Sequence, residues 1–126
     1  MTLQEIPGTF SVCQVRALPS PLPRWSFAAA TDGELSLVCR TADAPADAVQ
    51  RDDGWRAFRV EGVLDFSLIG ILARLSAVLA EAGIGLFAVS TYNTDYILTK
   101  ADQYEAAFAA LARAGYAVAR SAEETE

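Results

Sequence analysis

Two short segments concentrate groups that could handle a small ligand. The first is Asp65-Phe66-Ser67-Leu68-Ile69-Gly70, placed between a strand-like run and a helical one. A helix start presents free N–H groups and partial positive charge, which suits a ligand carboxylate. Gly70 lets a backbone or ligand come close. The same residues also satisfy a simpler requirement, since Asp65 or Ser67 would serve as an ordinary N-cap. The second segment, Ser90-Thr91-Tyr92-Asn93-Thr94-Asp95-Tyr96, carries hydroxyl, amide or carboxylate groups at seven consecutive positions. Asp95 could receive an α-ammonium group, with Thr91 and Thr94 supplying hydroxyls or carbonyls. Turn chemistry in a hairpin is the competing explanation. Gly83 and Gly85 flank Ile84. One glycine stops a helix, and a second in a strand fits where another backbone or a ligand comes close.

Composition removes most alternatives. The chain has 126 residues, 16 acidic and 10 basic, with a net charge of −6 and no histidine. Ser-His-Asp and Cys-His catalysis and His-ligated metal sites are therefore excluded. The acidic balance is opposite to a nucleic-acid footprint. Lys100 is the single lysine and no G-x-x-x-x-G-K-S/T loop occurs, which excludes a P-loop. No cofactor is expected. Cys13 and Cys39 cannot complete a zinc site and read as buried small hydrophobes, with a redox pair as the lesser reading. The longest uncharged apolar run, Ala82 to Val89, is far short of the ~20 residues that span a bilayer. The first eight residues lack basic and apolar regions of a signal peptide, so the expected location is the cytoplasm, with free thiols.

Length predicts one domain or two very small fused ones, and the 52% apolar content is that of a globular chain. Strands are expected at Phe10 to Leu18, Trp25 to Thr31 and Glu34 to Arg40, the last two joined by an Asp32-Gly33 turn. Pro19, Pro21 and Pro23 form a stiff connector. A short helix is expected from Asp43 to Gln50, and Asp52-Asp53-Gly54 is expected to break the chain. From Ala57 to Arg120 the pattern is strand, helix, strand, strand, helix, strand. The first helix carries Leu68, Leu72, Leu75 and Leu79, widened by Ile71 and Val78, and ends at Gly83. Ile84 to Ser90 and Asp95 to Thr99 are strands around a Tyr92-Asn93-Thr94 turn. Thr99 and Asp102 match a helix-start signal. Tyr104, Phe108 and Leu111 line the second helix, Gly115 ends it, Tyr116 to Arg120 is a strand, and the acidic end is a frayed tail. Such an order forms an antiparallel sheet with both helices on one face, the α+β ferredoxin-like arrangement. Phe87 and Val89 project to the face opposite Ile84, Leu86 and Ala88. That second face needs a cover, from the N-terminal residues or a second chain.

The stretch from Glu61 to Leu72, followed by Ser90 to Leu98, resembles the ACT-domain proteins. It looks like a small stand-alone bacterial group related to aspartokinase regulatory domains and to the cytosolic arginine sensors of animals. Thr31 to Cys39 resembles that group's first-subdomain hairpin, so the likeness runs from about Phe10 to Arg120. The resemblance implies two ferredoxin-like (βαββαβ) subdomains, at 1–56 and 57–122, the first partly degenerate, with residues 123–126 as a tail. It implies a non-enzymatic regulatory role with an amino acid as ligand, held between two ACT units. One unit would contribute Gly85 and Leu86. The other would contribute Asp65, Phe66, Ser67, Leu68, Ile69 and Gly70 with Thr91, Tyr92, Thr94 and Asp95. One chain holds a single copy of each segment, so a homodimer with two equivalent sites is implied. Ile69 and Asn93 stand where many relatives carry threonine and aspartate, which removes groups that a basic side chain needs. The alternative is a ligand-free interaction scaffold for a metabolic enzyme, motivated by the broad apolar stripe of the first helix.

Overall fold

The computed structural model describes residues 1–62 and 70–121. The elements are β1 (Thr2–Gln14), β2 (Phe27–Ala30), β3 (Leu35–Arg40), β4 (Gln50–Val60), α1 (Ile71–Glu81), β5 (Phe87–Ser90), β6 (Asp95–Lys100), α2 (Tyr104–Arg113) and β7 (Ala117–Ala119). Contacts divide the chain into two compact units, residues 8–55 and residues 1–7 together with those from Arg56 onward. β1 and β4 each contribute to both. Where each strand passes from one unit to the other, it carries a glycine with left-handed backbone, Gly8 (φ +97°) and Gly54 (φ +88°). Glycine takes that conformation without the clash a Cβ would bring, so the strand continues through it. The expected chain break at Asp52-Asp53-Gly54 is thus corrected to the interior of an 11-residue strand.

In the unit containing the C-terminal half, the strands lie in the order β7-β1-β4-β6-β5. β5 and β6 pair antiparallel, with Phe87 opposite Leu98 and Ser90 opposite Asp95. β7 runs parallel to β1, with Thr2 opposite Ala117. The expected antiparallel sheet and both helices are present, but the first residues of the chain enter it between β4 and β7. Strand β1 begins at Thr2 and not at Phe10. Leu3 joins the core, and Glu5, whose side chain is 8% exposed, accepts from Arg56 (3.0 Å), Arg120 (3.3 Å) and the Ser121 backbone N–H (2.8 Å). A buried carboxylate with that many donors ties the strand in.

The helices share one core. Ile71, Leu75 and Leu79 of α1 pack with Tyr104, Phe108 and Leu111 of α2 against Leu3, Phe58, Val60, Ile84 and Ile97. The Phe108 ring lies 5.2 Å from Phe58 and 4.8 Å, edge-on, from Tyr104. Leu72 and Val78 are half-buried beside this core, so the expected stripe is seen apart from Leu68, which lies outside the described residues. Leu86 packs on the same core, and alternation sends Phe87 and Val89 to the other face. Helix α2 starts at Tyr104 after a turn of 3₁₀ helix at Ala101–Gln103. Thr99 does not start it. That residue is fully buried in β6, because strand pairing claims the backbone that a cap would need.

In the other unit the order is β2-β3-β1-β4. β3 pairs antiparallel with β2, Phe27 opposite Val38, and with β1, Phe10 opposite Arg40. Cys13, Val15, Leu37 and Cys39 form its buried cluster. The helix expected from Asp43 to Gln50 is corrected to a 3₁₀ turn at Thr41–Asp43 and a further turn closed by Ala48 N–H on Pro45 O (3.2 Å). Pro45 follows Ala44 in extended conformation, which stops a helix from propagating.

A repeat hidden in the sequence becomes visible here. Strand, hairpin, strand and 3₁₀ turn at residues 27–43 recur sixty positions later at 87–103, with equal lengths and equal register. Phe27 opposite Val38 corresponds to Phe87 opposite Leu98.

Candidate functional site

β4 ends at Val60 beside the hairpin that joins β5 to β6, and this end of the sheet gathers the polar residues. Thr94, buried at 6% exposure, donates its hydroxyl to the Val60 carbonyl at 2.6 Å. Thr91 closes the turn: its N–H donates to Thr94 O (2.8 Å) and its hydroxyl to the same carbonyl (3.0 Å). The hairpin of the other unit does the same with Thr31, whose N–H donates to Glu34 O at 3.0 Å and whose hydroxyl reaches it at 3.3 Å. Thr91 is therefore turn chemistry in the first instance. Asn93 and Tyr96 stand where that plain hairpin has Gly33 and Ser36, so they exceed what the turn requires. Tyr92 is 80% exposed at the tip.

The surplus residues line a cavity. A space of about 240 Å³ is bounded by Arg59, Glu61, Gly62, Asn93, Thr94 and Tyr96. The Arg59 guanidinium donates to the Tyr96 hydroxyl through Nη1 (3.3 Å) and approaches Glu61 Oε1 through Nε (3.4 Å). The Tyr96 hydroxyl, more than the Glu61 carboxylate, holds Arg59 above even its usual basicity, so it stays charged. Arg59 and Glu61 were not among the residues expected from sequence. The available signal was their place in Phe58-Arg59-Val60-Glu61, where charges alternate with core positions just before the glycine that ends the strand.

Asp95 lies elsewhere. Its carboxylate accepts the Ser90 hydroxyl at 2.6 Å. Strand alternation puts it on the face of core residue Ile97, whereas Tyr96 is on the other face with Arg59. Gly70 adopts left-handed backbone (φ +83°) immediately before α1, and a Cβ there would come 3.2 Å from the end of the Arg74 side chain. Only the conformation demands glycine, since that side chain is flexible. Asp65, Phe66, Ser67, Leu68 and Ile69 lie outside the described residues. Gly85 and Leu86 sit at the opposite end of β5 from the hairpin, four to five residues from Ser90, or roughly 13–17 Å at ~3.3 Å per residue. One copy of the chain does not bring them to the hairpin.

Both cysteines are free and buried, and Cys39 is no ready nucleophile. Burial, reinforced by neighbouring Cys13, pushes the Cys39 thiol up to about 12, so it carries almost no thiolate near neutrality. Among the described residues no helix is long and apolar enough to cross a membrane.

A sequence model of the ACT domain matches residues 50–113, just over half of the chain. No curated protein is detectably similar in sequence. Among solved structures, protein Atu0741 from Agobacterium tumefaciens superposes with a TM-score of 0.88 at 28% identity, over 99% of this chain and 96% of that one. VC0802 from Vibrio cholerae, described as of unknown function and possibly a transport protein, gives 0.71 at 21% identity, over 86% and 85%. The ligand-free regulatory subunit of aspartate kinase from Thermus thermophilus gives 0.60 at 11% identity, over 90% and 97%, and so shares the fold. With the family match spanning β4 to α2, the chain belongs to the ACT-domain family.

Proposed function

We propose that the chain is a non-enzymatic regulatory module that binds a small ligand, an amino acid, at an interface between ACT domains of two copies. One observation carries this reading: of two hairpins built alike, the one at 91–94 adds Asn93, Thr94 and the neighbouring Tyr96 to the lining of a described cavity. A cavity smaller than the ~300–1,000 Å³ of drug-sized sites suits a metabolite of a few heavy atoms. The separation of Gly85 and Leu86 from the hairpin supports a site completed by a second copy, as in a cytoplasmic homodimer. Gly85 and Leu86 of one copy would then meet Asp65 to Gly70, Thr91, Tyr92, Thr94 and Asp95 of the other. The sixty-residue repeat supports a partly degenerate ACT-like subdomain in the N-terminal half, related to the C-terminal one by duplication.

The scaffold alternative rested on the apolar stripe of α1. Ile71, Leu75 and Leu79 bury that stripe in the unit's own core, so the stripe no longer calls for a partner enzyme. The test is thermal unfolding against the twenty amino acids at millimolar concentration, with molar mass by light scattering. A ligand at 100 times its Kd adds ~2.7 kcal/mol, which raises Tm by roughly 5–15 °C at this chain length. A dimer that responds to none of them, and purifies with a stoichiometric partner, overturns the reading in favour of a scaffold.

A further inference from the structure

We infer that the open edge of β2 is a pairing surface for β2 of a second copy of the chain, the two strands running antiparallel about a two-fold axis at Ala29. β2 ends the strand order, so among the described residues no strand lies on its far side. A strand edge with unpaired N–H and C=O groups is a template for another strand. Which groups point outward follows from the phase of the hydrogen bonds. Thr31 N–H donates to Glu34 O at 3.0 Å, whereas Leu35 O accepts from the N–H of Val15, just past the end of β1 (3.0 Å). Bonded and non-bonded pairs alternate along an antiparallel ladder. Ala29 therefore bonds with its partner Ser36. Ala28 and Ala30, opposite Leu37 and Leu35, turn their N–H and C=O groups to the open side.

The edge is complementary to itself. A two-fold axis at Ala29 sets Ala28 of one copy against Ala30 of the other, the residues whose groups point outward, and each such pair exchanges both its bonds. Proteins commonly guard an edge with lysine, proline or a bulge. β2 is Phe27-Ala28-Ala29-Ala30, with its alanines exposed and no such guard within it. Charge favours the same partner. Arg24, just before β2, and Asp32, just past its end, are both exposed. Antiparallel pairing puts the start of each strand beside the end of the other, so Arg24 of one copy lies at the same end as Asp32 of the other. The surface belongs to the N-terminal unit and needs no ligand, so it stands apart from the amino-acid reading above.

The test is disulfide trapping of the full-length protein with oxidised glutathione. Ala29→Cys faces itself across the axis in a non-bonded pair, whose Cα atoms are roughly 4.5 Å apart, within the range a disulfide spans. Cys13 and Cys39 are buried and do not compete. Ala29→Cys is expected to link two chains roughly tenfold faster or more than Ala28→Cys, Ala30→Cys or, at an exposed site on α2, Ala106→Cys. Pairing raises the effective concentration of the two thiols at that position alone. Adding Ala28→Pro removes an outward N–H and spares the bonds to β3, so Tm stays near that of Ala29→Cys alone while the fast linkage is lost. Equal rates at every position, a faster rate at Ala28 or Ala30, or linkage that survives Ala28→Pro overturns the inference. Slow linkage in a protein that light scattering shows to be dimeric also overturns it and leaves the interface between ACT domains standing. Release of a different polypeptide from the purified protein by Ala28→Pro gives the edge to that partner and overturns it as well.

Discussion

Replacing Tyr104 with phenylalanine isolates one buried hydrogen bond. The Tyr104 hydroxyl donates to the Ala57 carbonyl at 2.7 Å, and both residues are 1% exposed. The ring is wedged between Phe58 and Phe108 and carries the Arg56 guanidinium 4.3 Å above its centroid. Phenylalanine keeps those ring contacts, so almost no packing is lost. What remains is the hydrogen bond, and the Ala57 carbonyl is left buried without that donor. Leaving one buried partner unsatisfied costs ~1–3 kcal/mol, with the lower half expected because only a neutral acceptor is exposed to the loss. At 126 residues that corresponds to a fall in Tm of roughly 3–10 °C. Urea unfolding should show a lower midpoint at unchanged m, since the surface exposed on unfolding is the same. Burial raises the Tyr104 phenol above its usual range, with Glu5 adding to it. Ultraviolet titration of the folded protein should therefore lose its late phenolate component in the same variant. An unchanged urea midpoint together with an unchanged titration would refute the buried hydroxyl and the packing of α2 on β4 that it implies.

Thr94→Val removes the hydroxyl bonded to Val60 O while keeping the shape, and should cost ~1–2 kcal/mol by urea unfolding; no loss would detach the hairpin from the end of β4. Cys39 should resist thiol reagents in the native state and react at once in denaturant, and rapid native labelling would contradict its burial. Its folded pKa of about 12 lies above the ordinary 9.0, so the stabilising difference is intact below pH 9 and is lost as pH rises from 9 towards 12. The fall is at most ~1.4 kcal/mol per pH unit for this one proton, and Cys39→Ala should flatten it; equal slopes in the two proteins would refute the linkage.

Local pattern was enough for the elements whose neighbours are close in sequence. The 3-4 spacing of Leu72, Leu75 and Leu79 declares a helix whatever packs on it, and the Thr91 to Thr94 turn follows from four adjacent residues. The absence of histidine and the acidic balance limited the chemistry without any structure. Tertiary structure alone decided three things. It placed Thr2 to Gln4 beside β7, because a strand partner more than a hundred residues away leaves no local periodicity. It carried β4 through Asp52-Asp53-Gly54, where ladder pairing and a left-handed glycine override the turn propensity of those residues. Finally, it brought Arg59 and Glu61 together with Asn93 and Tyr96, more than thirty residues apart in the chain. A cavity is a property of which strands lie side by side, and the residues of each strand, read alone, fit a solvated edge equally well.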